Sequence, residues 1–114
     1  MMVYLLSMKI VQIESFKKEI AEFPAETKED IFSLIYRFLQ GERLNNKDFK
    51  TFKIDKSTKV LEFKVKDDRG NWRAISTIAS GKYLVFVYAF HKKSQELQQK
   101  DKDLIRNRIR RIEL

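Results

Sequence analysis

From Val60 to Lys66 apolar and polar residues alternate, with Leu61, Phe63 and Val65 set against Glu62, Lys64 and Lys66. That is the period of a half-buried strand. Asp67-Asp68-Arg69-Gly70 then reads as a turn, because Asp bonds its own backbone and Gly supplies positive φ. Asn71–Ala79 predicts the returning strand and Ser80-Gly81 a two-residue turn. Lys82–Phe90 is apolar on both faces, as expected of a buried central strand. A loop over 67–70 pairs Lys64 with Arg73 and Val65 with Trp72, which keeps the apolar partners on one face. A two-residue loop at 80–81 would pair Arg73 with Tyr88 and Ala74 with Val87.

Upstream, Met8–Ile13 predicts a short first strand. Ser15 offers an N-cap for a helix carrying Phe16, Ile20 and Phe23, which Pro24 ends. Ile31, Leu34, Ile35 and Phe38 form a second helical stripe, backed by Phe32 and Leu39 and closed by Gly41. Residues 42–56 read as a loop that docks in part through Phe49, Phe52 and Ile54. After Ser94 a last helix is expected, with Leu97, Leu104, Ile105, Ile109 and Ile112 on one stripe and Arg106 and Arg110 on another. The order β-αα-βββ-α predicts a single α+β domain over 1–114. Its sheet is mostly antiparallel, with the helical hairpin on one face, against Leu61, Phe63, Val65, Trp72, Ala74, Val85 and Val87, and an open cationic face opposite.

Charge sharpens this picture. Twenty-four Lys and Arg against sixteen Asp and Glu give a formal net charge of +8, which favours a polyanionic partner. With no Cys and one His, disulfides, thiolate metal sites and paired-His zinc sites are excluded. No apolar run approaches a membrane span, and the apolar start lacks a basic leader region, so the cytoplasm is the expected compartment. No helix-turn-helix pattern argues for a DNA regulator.

On the open face Lys64, Arg73 and Tyr88 would form one row, with Glu62, Lys66 and Asn71 beside it. Two adjacent cations repel unless an anion joins them, so the row suits phosphate. The competing use of Arg73 is a diagonal cross-strand pair with Glu62. One carboxylate on that face is too few for metal-assisted hydrolysis. RNA can instead be cut by its own 2′-hydroxyl, given cations for the developing charge and groups that move protons. Arg offers a planar two-point grip on phosphate, and a crowded, partly desolvated Lys exchanges protons nearer neutrality. As a residue on an open face, Arg73 should tolerate Ala within about 1 kcal/mol.

Glu62-Phe63-Lys64-Val65, Trp72-Arg73 and Val87-Tyr88-Ala89-Phe90-His91-Lys92-Lys93-Ser94-Gln95 together resemble the RelE/HigB toxin superfamily, in particular its phage-derived HigB-like branch. The likeness covers the second half of the chain well, and the helical hairpin fits in order and size. The chain departs from the branch in having Glu96-Leu97-Gln98-Gln99 where a Pro is usual, His91 before the lysines, and Asp67-Asp68 in the loop before Arg73. The resemblance implies a RelE-like fold and metal-independent, ribosome-dependent mRNA cleavage without a cofactor. It also implies mRNA and rRNA on the ribosome as partners, and a cognate antitoxin protein that holds the toxin inactive. Arg73 matches the arginine of the cleaved phosphate, Lys64 a basic position, Lys92 and Lys93 the paired lysines, and Glu62 the glutamate. The candidate set is then Arg73, Lys64, Lys93, Tyr88 and Glu62 for the reaction. Lys66, His91, Lys92, Arg106 and Arg110 are the candidates for RNA contact. The alternative is a non-catalytic basic module that binds RNA or an acidic protein.

Overall fold

The structure is a computed structural model that describes residues 7–92 and 97–113. Its elements run β1 (Lys9–Gln12), α1 (Glu14–Ala21), α2 (Ala25–Leu39), β2 (Phe49–Lys53), β3 (Lys59–Asp67), β4 (Gly70–Ala79), β5 (Tyr83–Lys92) and α3 (Gln99–Arg110). The five strands form one sheet in the order β1-β5-β4-β3-β2; β1 runs parallel to β5 and every other pair is antiparallel. The expected α+β architecture is therefore present, with one strand more than periodicity reveals. Among the described residues no helix is long and apolar enough to cross a membrane.

That extra strand comes from the stretch expected to be a loop. Phe49 stands opposite Phe63 and Phe52 opposite Val60, so the two rings fall on opposite faces of the sheet. Two apolar residues three apart, among lysines, carry no clean period-2 signal. Only the β3 edge selects this pairing.

Phe16 and Ile20 of α1, Phe23 of the turn, and Ile31, Leu34 and Ile35 of α2 bury against Leu61, Phe63, Trp72, Ala74, Leu84 and Phe86. Rings of Phe16, Phe63 and Phe86 meet at the centre, with centroids 5.2 Å (Phe16–Phe86) and 5.8 Å (Phe63–Phe86) apart. The helix N-termini differ from expectation. Ile13, with no side-chain bond, holds the N-cap position of α1 in place of Ser15, and Pro24 precedes α2 directly. Asp67 ties the hairpin to the sheet, accepting from Thr27 Oγ1 at 2.8 Å and Trp72 Nε1 at 2.9 Å. The Trp72 bond, more than any other influence, holds this carboxyl below its usual range.

The β3–β4 register is the expected one, Lys64 with Arg73 and Val65 with Trp72. The β4–β5 register is not. Ala79 pairs with Tyr83 across a three-residue turn in which Ser80 and Gly81 both have positive φ, and the ladder slips again between Ile75 and Ser76. Val87 is bulged out, Tyr88 stands opposite Ile75, and Arg73 stands opposite Phe90. Leu84 and Phe86, not Val85 and Val87, therefore meet the hairpin, while Val85 and Val87 turn to the other face. β5 is interior, but second from the edge, with β4 at the middle of the sheet.

The bulge has a tertiary cause. β1 pairs with β5 only as far as Phe86, so the β5 edge beyond it lacks a strand partner. Glu19 of α1 accepts the Ala89 N–H at 3.1 Å, and Arg108 of α3 donates to the Val87 carbonyl at 2.8 Å. Arg108 and Glu19 in turn form an ion pair at 2.9 Å. Two helices thus supply the polar partners that a sixth strand would have given, satisfying groups that are expensive to bury unpaired.

α3 lies against the face opposite the hairpin, packing Ile105 on Val60, Ile75, Val85 and Val87 with Ile54. Away from α3, the end of β3 and the start of β4 carry a groove lined by Lys64, Lys66, Asn71 and Arg73. Arg106 fastens the helix to the β2–β3 loop through Asp55 at 2.6 Å, and it also meets Asp103 at 2.9 Å. Arg106 is therefore a docking residue and not the free cation expected from the stripe, whereas Arg110 is exposed. Asp55 is held well below the usual carboxylate range, chiefly by Arg106. A lowered folded-state value contributes stability above the unfolded value that is lost as pH falls through the folded one. Arg106→Ala is accordingly expected to lower the melting temperature near neutrality and to flatten its fall below about pH 4, the ordinary carboxylate range. Thermal melts of both proteins across acid pH measure this.

Candidate nucleic-acid interface

On the face that α3 covers in part, rows of residues cross the strands. One row is Lys50–Glu62–Ile75–Tyr88, the next Lys64–Arg73–Phe90, and the last Lys66–Asn71–Lys92. A groove of about 480 Å³ lies over the second and third rows. Lys64, Lys66, Asn71 and Arg73 line it, with Lys47 and Asp48 at its outer wall. The segment before β2 closes that wall because Lys64 is held on both sides: its N–H donates to the Asp48 carbonyl at 2.8 Å and its amine to the Asn46 carbonyl.

Arg73 is only 7% exposed and Glu62 is fully buried. Arg73 Nη1 lies 3.1 Å from Glu62 Oε1, and Lys50 Nζ lies 3.9 Å from the same oxygen. Among the described residues, neither Glu62 oxygen completes a hydrogen bond of good geometry. The competing diagonal pair is thus realised: charge and proximity bind the carboxylate to Arg73. The Lys64 amine is half-buried beside them. Burial lowers its pKa, Glu62 opposes that shift, and Arg73 and Lys50 reinforce it. Glu62 within the cluster and Asp48 on the groove wall thus face Lys47, Lys50, Lys64, Lys66 and Arg73, which leaves an excess of positive charge at the groove.

Other sequence candidates fall elsewhere. Tyr88, expected beside Arg73, is one row away and donates its hydroxyl to Asp101 at 3.0 Å beneath α3. Its ring stacks on Phe90, with centroids 4.5 Å apart, and lies under the Arg108 guanidinium. Burial, with the Asp101 bond, pushes the phenol up to about 12, so it stays protonated near neutrality. Phe90 takes its place in the Arg73 row because turn and bulge together shift the ladder by two residues. His91 stacks on Trp72 at 4.1 Å, a residue of the hairpin-side core, and so does not face the groove. The stack explains Gly70, whose φ is +135° and where a Cβ would come 2.1 Å from His91 Nε2. Lys92 stands opposite Asn71 in the ladder. Lys93 lies outside the described residues.

Sequence reasoning missed Lys50, since its strand was not recognised, and also Lys47. No period-2 signal marks either lysine, and only the pairing of β2 with β3 places Lys50 beside Glu62. Among the described residues, no group of three or more His, Asp or Glu gathers as metal ligands would.

The family model described as phage derived protein Gp49-like (DUF891) matches residues 18–110, from the middle of α1 to the end of α3. No curated protein matches the sequence significantly.

Proposed function

The chain belongs to the Gp49-like phage-derived family, a family of RelE/HigB-like toxins, and on that premise we propose that it is the toxin of a type II toxin–antitoxin pair. In this reading it cleaves ribosome-bound mRNA without metal or cofactor, inhibits translation, and is neutralised by a cognate antitoxin protein. The observation that supports it is the excess of positive charge around one buried carboxylate at the Lys64–Arg73 row. A phosphodiester over this row meets Lys64 and the groove-lining edge of Arg73, which stabilise the charge that develops when the 2′-oxygen attacks phosphorus. Glu62 orients Arg73 and takes no proton from the substrate. Tyr88 and His91 stand away from the groove, so among the described residues proton movement falls to Lys64, with water.

That same displacement of Tyr88 and His91 favours a second reading, a non-catalytic basic module that binds RNA or an acidic protein. Induced expression separates the two. The nuclease reading expects arrested translation, reversed by the cognate antitoxin, and discrete cuts in ribosome-bound mRNA mapped by primer extension. Normal protein synthesis with intact mRNA at confirmed soluble expression would overturn it.

A further inference from the structure

Lys17 and Lys50 hold their amines near carboxylates, of Glu14 at 3.2 Å and of Glu62 at 3.9 Å. Lys64 differs. Its amine donates to the Asn46 carbonyl, and among the described residues it forms no ion pair. A neutral carbonyl accepts from an amine as well as from an ammonium, so this bond gives the charged form little of the advantage that a carboxylate would. Cations crowd the position. Arg73 stands directly opposite on β4, Lys66 two residues along β3, and Lys50 one row away on β2. Glu62 and Asp48 oppose them, but Glu62 is already shared with Arg73 and Lys50. α2 adds one charge of each sign, Asp30 and Arg37, across a neighbouring cleft that Lys64 also lines. A half-buried amine among like charges gives up its proton more readily and then has a lone pair for attack.

The groove also selects the reagent. Its volume of about 480 Å³ suits a small molecule, and Lys64, Lys66 and Arg73 line it together. A cleft whose walls carry one sign of charge concentrates small counter-ions. Opposed residues lie about 5 Å apart and residues two apart on a strand about 6.7 Å, so a phosphate held by Arg73 and Lys66 leaves the group bonded to it beside the Lys64 amine. We propose that Lys64 is a site of covalent acylation by small acyl phosphates, which the cationic groove gathers and which react there without a second protein. The Lys64 nitrogen forms a bond to the acyl carbonyl carbon. The bond from that carbon to the phosphate oxygen breaks, inorganic phosphate leaves with the electron pair, and the surplus proton on nitrogen passes to water. The product is a neutral amide, which removes one positive charge from the Lys64–Arg73 row. The acylation goes beyond the nuclease reading and does not need it; only its consequence, a groove with less hold on phosphate, rests on that reading.

The test is incubation of the folded protein with acetyl phosphate near neutral pH, followed by proteolysis and mass spectrometry of each lysine. Lys64 should take up label at least about tenfold faster than Lys18, an exposed lysine of α1 outside the groove, which is the low end of the enrichment that a charged cleft gives. Acetic anhydride carries no charge for the groove to attract, so with it the preference for Lys64 should shrink. Lys66→Gln, at an exposed position, should slow the labelling of Lys64 by acetyl phosphate and leave Lys18 unchanged, with melting confirming that the variant is folded. Labelling of Lys64 no faster than Lys18, or spread evenly over Lys47, Lys64 and Lys66, would overturn the site. A preference equal for both reagents and indifferent to Lys66→Gln would overturn capture by the groove. Selective labelling of a protein that never cuts ribosome-bound mRNA keeps the acylation and removes the nuclease. Uniform labelling of one that does cut keeps the nuclease and removes the acylation.

Discussion

Arg73→Ala should destabilise the domain by about 3–5 kcal/mol, the range for removing one partner of a buried ion pair. For a domain of this size that is a large share of a total stability of about 5–15 kcal/mol. Glu62 is fully buried, and without Arg73 its nearest cation among the described residues is Lys50 at 3.9 Å. Folding would then strand a carboxylate away from water or force it to take up a proton. Glu62→Gln should recover part of the loss in the Arg73→Ala background, because an amide carries no charge to desolvate. Replacing both partners by apolar residues of similar volume, Glu62→Leu with Arg73→Met, should come close to wild type. Urea denaturation of wild type, Arg73→Ala, Glu62→Gln and the combined variant closes a double-mutant cycle. A loss below about 1 kcal/mol for Arg73→Ala, the figure for surface positions, would return Arg73 to the exposed role that its place in the sequence suggests. Lost cleavage in this variant therefore cannot by itself be credited to catalysis.

Lys64→Ala is the cleaner probe of chemistry. The side chain is half-buried and hydrogen-bonded to a backbone carbonyl, so its removal opens no core cavity. If the nuclease reading holds, cleavage of ribosome-bound mRNA should fall by about 10²–10³, as when a group that stabilises developing charge is removed. The pH dependence carries the sign. Burial, with Arg73 and Lys50 adding to it and Glu62 opposing, places the Lys64 pKa below the ordinary lysine range. The cationic form is therefore lost earlier as pH rises, and activity should decline on the alkaline side before an ordinary lysine would titrate. Lys64→Arg should keep partial activity and lack that decline, since a guanidinium stays charged. Single-turnover cleavage rates across alkaline pH measure both. A Lys64→Ala protein that cuts at the wild-type rate would remove the row from the mechanism.

Strand periods, helical stripes and turn residues place β3, β4 and the helical hairpin, because each is written in neighbours a few positions apart. The β3–β4 register followed from the same information: a short turn and one buried face leave a single solution, which set Lys64 beside Arg73. The family-like segments lie on those strands, so the basic row was legible as well. What escaped depends on contacts between distant parts of the chain. β2 exists because the β3 edge offers it a partner, and the β5 bulge exists because Glu19 and Arg108, 89 positions apart, meet at an edge that β1 leaves open. Arg106 reads as a solvated stripe until Asp55, 51 positions away, is brought against it. Sequence determined the charges that β3 and β4 bring to this face, Glu62, Lys64, Lys66 and Arg73, and their order. Tertiary structure decided which are consumed: packing buries Glu62 with Arg73 and docks Arg106, and it leaves Lys64 and Lys66 lining the groove, away from the end of the sheet that α3 covers.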